Sequence, residues 1–214
     1  MALIRAAVWV SLTFSAAVFA TPQPTQEFAL ANGLRVIVQE DHRAPVVAVQ
    51  VWYRIGASYE LDGATGVSHA LEHMMFKRTK HLKSGEFSRL VADRGGHENA
   101  FTTTDYTTYF QTWSATNAEL SMKLEAERMQ NLVLDPGEFK NELKVIQEER
   151  RLRTDDSASA LALEAVLAHT WQTSPYRQPV IGWPADIAQM QLPDLATWYH
   201  RYYAPNNADR KSNV

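Results

Sequence analysis

The sequence contains no cysteine among its 214 residues. This absence excludes disulfide frameworks, thiol catalysis, iron–sulfur clusters and every zinc site that depends on thiolate ligands. A metal site in this chain must therefore be built from carboxylates and from the seven histidines. A basic excess is also lacking, because 21 Lys and Arg stand against 24 Asp and Glu. The net charge of −3 excludes a dominant electrostatic footprint for nucleic acid, and we expect no nucleic-acid partner.

Long apolar runs are scarce, and the main one lies in residues 1–20. There Arg5 precedes an apolar stretch that ends in small residues, a pattern typical of a secretory signal peptide cleaved after Ala20. The alternative is a retained membrane anchor, but the apolar stretch over 6–20 is shorter than the roughly 20 residues that span a bilayer. We therefore expect a periplasmic or secreted mature protein with no stable membrane span.

The remaining chain has the composition of a globular domain, with 45% hydrophobic and 21% charged residues. Apolar periodicity and turn signals predict its strands and helices. Strands are expected over 34–39 and 46–53 and as an extended pair over 98–113; helices over 67–76, 85–93, after residue 116, over 135–153, 157–170 and 193–203; and a loop over 176–193. Because strands and helices do not alternate regularly, this order predicts an α+β fold, with a mixed or antiparallel sheet packed against several helices.

The feature that carries chemistry is an H-x-x-E-H pattern inside a predicted helix. Positions i, i+3 and i+4 share one helix face, so His69, Glu72 and His73 should project together. Two imidazoles one turn apart can hold a single Zn²⁺, and the carboxylate beside them is placed to take a proton from water. The alternative is a surface helix on which these side chains make ordinary contacts. A catalytic zinc site needs a third protein ligand as well.

Candidates for that third ligand lie in the long predicted helix. Glu142 and Glu149 are seven residues apart and lie on one face, whereas Glu148 points about 100° away from Glu149. The spacing favours the face of Glu142 and Glu149 but does not choose between these two. The alternative for these acids is a solvated helix face that pairs with the arginines that follow them.

Three blocks of the sequence resemble one family. They are residues 66–79, 95–109 and 142–150, and a weaker echo follows at 203–208. The sequence is similar to the pitrilysin family of zinc peptidases, the inverzincins, and especially to the bacterial relatives of mitochondrial processing peptidase. The resemblance extends over residues 28–208, and it implies the α/β half-domain of that family.

The resemblance also implies a set of roles. His69 and His73 would bind one zinc ion per chain, Glu149 would be the third ligand, and Glu72 would be the general base. Glu142 matches an acid that supports the site. The implied activity is that of a metallo-endopeptidase that cleaves extended peptides or unfolded segments.

A substrate-binding role is implied for Asn99 and Ala100, which match the strand edge along which this family binds its peptide substrate. Main-chain hydrogen bonds to an added strand demand little of the peptide's sequence. The alternative for Asn99 is a turn or cap after the two glycines that precede this block.

The chain departs from the family in two respects. Family members usually have two similar halves, and only the first is present, so we expect a second homologous half or subunit as a partner. The rival interpretation is a non-catalytic or incomplete half-enzyme that binds peptide and cleaves only with that partner. The end is polar where the family has an apolar strand, which favours a truncated product over a short independent subunit. The expected division is a signal peptide over 1–20, a peptidase domain over 21–208 and a divergent tail over 209–214.

Overall fold

The structure is a computed structural model that describes residues 25–213. The expected signal peptide and its cleavage site lie outside this range. Among the described residues, no helix combines the length and the apolar character that crossing a membrane requires.

A mixed sheet of six strands forms the centre of the described chain. The strands are β1 (Gln26–Ala29), β2 (Arg35–Gln39), β3 (Val46–Tyr53), β4 (His97–Thr102), β5 (Thr107–Ser114) and β6 (Ala208–Asn213). Their order is β1-β2-β6-β3-β5-β4, and only the pair β2–β6 is parallel. Buried and less buried residues alternate along β3, as the two-residue period of a strand covered on one face requires. The predicted α+β class with a mixed sheet is confirmed.

Seven α-helices accompany the sheet in the described range. They are α1 (Val67–Met74), α2 (Glu86–Ala92), α3 (Ala118–Asn131), α4 (Pro136–Arg150), α5 (Ala158–Thr170), α6 (Pro184–Gln189) and α7 (Leu192–Tyr202). The Asp135 side chain caps α4 by accepting from the backbone N–H groups of Gly137 and Glu138. A π-helical turn, Arg151–Asp155, joins α4 to the segment before α5. The prediction of a loop over 176–193 is wrong in part, because Pro184 begins the short helix α6 there.

The core lies where the helices pack on the sheet. On α1 the buried positions Val67, Ala70, Leu71 and Met74 follow the i, i+3, i+4, i+7 spacing of an apolar stripe. They pack with buried residues of β3, including Val51. This packing turns the flank of α1 that carries the H-x-x-E-H pattern toward a cleft.

The polar residues at the end of the chain are part of the sheet. Strand β6 pairs with β2 on one side and with β3 on the other. Asp209 also lies 3.2 Å from the guanidinium of Arg54 and 3.6 Å from that of Arg35. Residues 209–213, which the sequence sets apart as a divergent tail, therefore occupy a strand position. Backbone hydrogen bonds form between strands whatever their side chains are, so a polar segment can be a strand that an apolar pattern does not predict.

Candidate metal site

Helix α1 brings the two histidines of the pattern side by side. The rings of His69 and His73 are 4.7 Å apart between centroids. The helix begins after Gly66, whose φ of 86° is in the left-handed region that favours glycine. Helix α1 therefore begins two residues before His69, and the four-residue spacing of His69 and His73 puts both imidazoles on one face.

Glu149 approaches both histidines from α4. Its Oε2 atom lies 3.6 Å from Nε2 of His69 and 3.4 Å from Nε2 of His73. Two ligands about 2.0–2.1 Å from a tetrahedral zinc lie roughly 3.3 Å from each other, so this spacing fits a metal. The three residues form a group that can hold a metal ion, with ligand atoms all within 4.8 Å of one another. Glu148 instead pairs with Arg151 on the exposed side of the helix.

The protonation of His69 also fits a ligand role. Burial, and next the neighbouring His73 and Arg153, lower the pKa of His69 to about 3. Its imidazole is therefore neutral near pH 7, which is the form that binds metal. Its Nδ1 atom is buried with no hydrogen-bond partner among the described residues. A neutral imidazole and a carboxylate facing each other at this distance form an arrangement that a cation between them would stabilise.

Glu142 takes a position different from that of Glu149. Its Oε2 atom is 3.2 Å from Nδ1 of His73, and its Oε1 atom is 2.6 Å from Nζ of Lys77. The structure thus distinguishes the positions of Glu142 and Glu149, which the helical spacing alone could not do. A carboxylate on the far nitrogen of a histidine fixes the orientation of the ring. Glu142 accordingly contacts His73 from behind, on the side away from Glu149.

Glu72 faces the same cleft and is held by a residue that the sequence did not single out. The hydroxyl of Thr102 donates to Glu72 Oε2 at 2.5 Å. Burial raises the pKa of Glu72, and this hydrogen bond opposes the rise. Thr102 is the last residue of β4 and lies within the second family-like block, but its contact spans 30 positions in the chain.

Asn99 and Ala100 lie on β4, at the edge of the sheet in the described chain. Opposite them on β5 are Phe110 and Tyr109. The side-chain oxygen of Asn99 accepts from the Ala100 backbone N–H at 2.8 Å. Both residues line a cleft of about 640 Å³, and the other residues that line it include His69, Glu72, His73 and Glu149. The structure therefore places this strand edge beside the group of His69, His73 and Glu149.

The far side of the cleft comes from the segments that follow α4. Arg153 lies in the π-helical turn, and its guanidinium is 2.8 Å from the Oε1 atom of Glu149. Glu164 of α5 and residues 179–181 complete this wall. One carboxylate oxygen of Glu149 thus faces the histidines while the other faces an arginine.

Comparison with known proteins identifies the family. The family model described as Insulinase (Peptidase family M16) matches residues 35–183, which is more than half of the chain. The chain belongs to this family, so the resemblance seen in the sequence is confirmed. The fold it implied is confirmed as well.

Individual relatives agree with this assignment. The zinc protease PqqE of Helicobacter pylori is 39% identical over 184 residues, which cover 86% of this chain and 41% of that protein. The crystal structure of a protease from Helicobacter pylori superimposes with a TM-score of 0.87 at 36% identity, covering 91% of this chain and 47% of that one.

A third similarity is to a separate half of an enzyme. The first half of the periplasmic protease PqqL from Escherichia coli gives a TM-score of 0.80 at 25% identity, over 91% of this chain and 44% of that one. The chain therefore spans less than half the length of each of these three relatives.

Proposed function

We propose that this chain is the metal-binding half of a zinc-dependent metallo-endopeptidase. The observation that carries the proposal is the group of His69, His73 and Glu149, with Glu72 beside it in a cleft bordered by a strand edge. The zinc proteases among its relatives support the choice of metal. One zinc ion per chain would be held by these three side chains.

The residues of the cleft would share the work of hydrolysis. Zinc, when bound, supplies Lewis acidity toward a carbonyl oxygen and toward water. Glu72 acts as the general base. The Thr102 hydroxyl donates to Oε2 of Glu72, so the Oε1 atom of Glu72 is available to take a proton from the attacking water and return it to the leaving amine nitrogen. Glu142 keeps the His73 ring in its orientation throughout.

Substrate binding would use the open edge of β4. An extended peptide can add to such an edge as a further strand, and its main-chain hydrogen bonds require no particular sequence. Asn99 and Ala100 lie on this edge and line the cleft. We therefore propose them as substrate contacts and propose extended or unfolded segments as the substrate class.

Metal content and peptide cleavage test the proposal together. Elemental analysis of the wild-type protein is expected to give one zinc per chain, and hydrolysis of a quenched fluorescent peptide should be lost in Glu72→Gln. Glu148→Gln is the matched control, because this acid lies on the exposed side of α4. Folded wild-type protein that binds no zinc, or full activity in Glu72→Gln, would contradict the proposal.

A second candidate function is that of a half-enzyme that cleaves only with a homologous partner. Helix α5 supports it, because Leu161, Leu163, Val166 and Leu167 are all at least 39% exposed. A helix apolar all round is normally buried. The relatives are more than twice as long as the matched region. We propose that a second M16 half covers α5.

Mixing experiments separate the two candidates. Under the second proposal, cleavage appears only when a homologous second half is added, and the paired substitution Leu163→Ser with Val166→Ser abolishes this gain while zinc content stays unchanged. Cleavage by the chain alone at the rate of the mixture would leave the second candidate without support.

We further propose a periplasmic location. The expected signal peptide and the similarity to the first half of a periplasmic protease support it. Cell fractionation should find the mature protein in the periplasm, with Thr21 at its N-terminus. A cytoplasmic protein that retains residues 1–20 would contradict this location.

A further inference from the structure

The three proposed ligands come from two helices, and the distance between these helices has to be held. His69 and His73 lie on α1, whereas Glu149 lies in the last turn of α4. The segment of residues 178–183, of which 179–181 line the cleft, contacts both the start of α1 and the end of α4. It is the link between them on that side.

One end of this link is a contact between two backbones. A Cβ atom added to Gly66 would lie 2.5 Å from the carbonyl oxygen of Ile181, and one added to Gly182 would lie 2.6 Å from that of Thr65. Only glycine allows such an approach at these positions. The start of α1 and the wall segment therefore lie directly against each other.

The buried threonine before Gly66 strengthens this contact. The Thr65 hydroxyl accepts from the backbone N–H of Trp183 at 2.9 Å and donates to Oδ2 of Asp186 at 2.6 Å. Thr65 is fully buried and Asp186 nearly so. The wall segment is thus fixed to α1 by hydrogen bonds as well as by packing.

The other end of the link is Arg150, the residue that follows Glu149. It is only 3% exposed. Its Nη1 atom donates to the carbonyl oxygen of Gly182 at 2.9 Å and to Glu164 at 3.0 Å, and its Nη2 atom donates to Glu164 at 2.8 Å. The next residue, Arg151, has a different environment, because it is half exposed and pairs with acids at the surface.

We infer that Arg150 is a positioning residue for the metal site. It fixes the end of α4 to Gly182, which lies against Gly66 at the start of α1, and so sets the distance from Glu149 to the two histidines. This role rests on the proposed zinc site. Zinc affinity would then depend on a side chain that is not itself one of the proposed ligands.

The hydrogen bond to Gly182 distinguishes this role from simple charge neutralisation. A buried ion pair can often be replaced by apolar residues of similar size with little loss of stability. Arg150→Met combined with Glu164→Met removes the arginine and its more buried acid together, whereas Asp155, 3.3 Å from Nη2 of Arg150, is partly exposed and keeps its charge in contact with water. The double variant cannot restore a donor to the Gly182 carbonyl. Stability and zinc affinity should therefore respond differently to this double variant.

Zinc affinity measured by chelator competition tests the inference, with thermal unfolding recorded alongside. Arg150→Met should weaken zinc binding by about tenfold, which is the lower end of the effect of losing a residue that hydrogen-bonds a metal ligand directly. Arg151→Met, the matched control one residue later, should bind like wild type. The double variant should recover thermal stability while its zinc affinity stays low. It also carries the test if Arg150→Met alone does not fold.

The outcomes separate failure of the inference from failure of the proposed function. Stoichiometric zinc in wild type, with equal affinity in the double variant, would overturn the role of Arg150 and leave the zinc site standing. A wild-type protein that binds no zinc would overturn both. Cobalt substitution adds a second readout, because a displaced Glu149 should alter the visible absorption of the bound ion in Arg150→Met but not in Arg151→Met.

Discussion

Zinc should stabilise the folded chain, because the proposed ligands join two helices that are far apart in sequence. The ligand atoms of His69, His73 and Glu149 lie within 4.8 Å of one another in the fold. The unfolded chain has no such preformed site. At a free zinc concentration 100 times the dissociation constant, stabilisation is about 2.7 kcal/mol. For a domain of this size each kcal/mol moves the melting temperature by about 2–4 °C, so the expected rise is roughly 5–11 °C.

Thermal unfolding after chelation and after return of buffered zinc measures this effect. Wild type should show the rise, and His73→Gln should lose most of it. His81→Gln is the matched control, because this histidine is exposed and pairs with Glu127 away from the site. A melting temperature that zinc does not change in wild type, or an equal rise in wild type and His73→Gln, would refute the reasoning.

Three further predictions follow from single side chains. The pKa of His69 is lowered from 6.5 to about 3. The contribution of its neutral ring to the stability of the metal-free protein is therefore complete above pH 6.5 and is lost as the pH falls toward 3. In denaturant titrations, the free energy of unfolding should decrease less on acidification in His69→Gln than in wild type. Thr102→Val removes the donor to Glu72, so the pKa of Glu72 should rise further and the acid limb of kcat/KM should move to higher pH, with about a ten- to hundredfold loss there. Thr112→Val changes an exposed threonine of β5 and should match wild type. Leu71→Ala empties a fully buried position and should cost about 2–5 kcal/mol by chemical denaturation.

Local periodicity was sufficient to predict the histidine pair. The spacing of His69 and His73 puts them on one helix face whatever the tertiary structure, because that relation is built into the α-helix. The strand over 46–53 was likewise predictable, because it is rich in β-branched apolar residues. Its alternating burial is seen only in the structure.

Contacts between distant segments were beyond such reasoning. Glu142 and Glu149 share a face of α4, so only the packing of that helix on α1 shows that one reaches Nδ1 of His73 and the other Nε2. Glu72, the partner of Thr102, and Gly182, one partner of Arg150, each lie about 30 positions away in the chain. A sequence pattern with a period of two or 3.6 residues carries no information about pairs at that separation.

The place of β6 in the sheet has a consequence for the order of folding. The hairpin of β1 and β2 reaches the other strands of the sheet only through β6, which follows all seven helices of the described chain. The hairpin of β1 and β2 and the group of β3, β5 and β4 therefore cannot form one sheet until residues 208–213 are in place. Closing such long loops is slow, because their entropy is lost before the strand pairs form. Until then β2 and β3 each present an unpaired edge, and a chain interrupted before β6 would be exposed to aggregation through them.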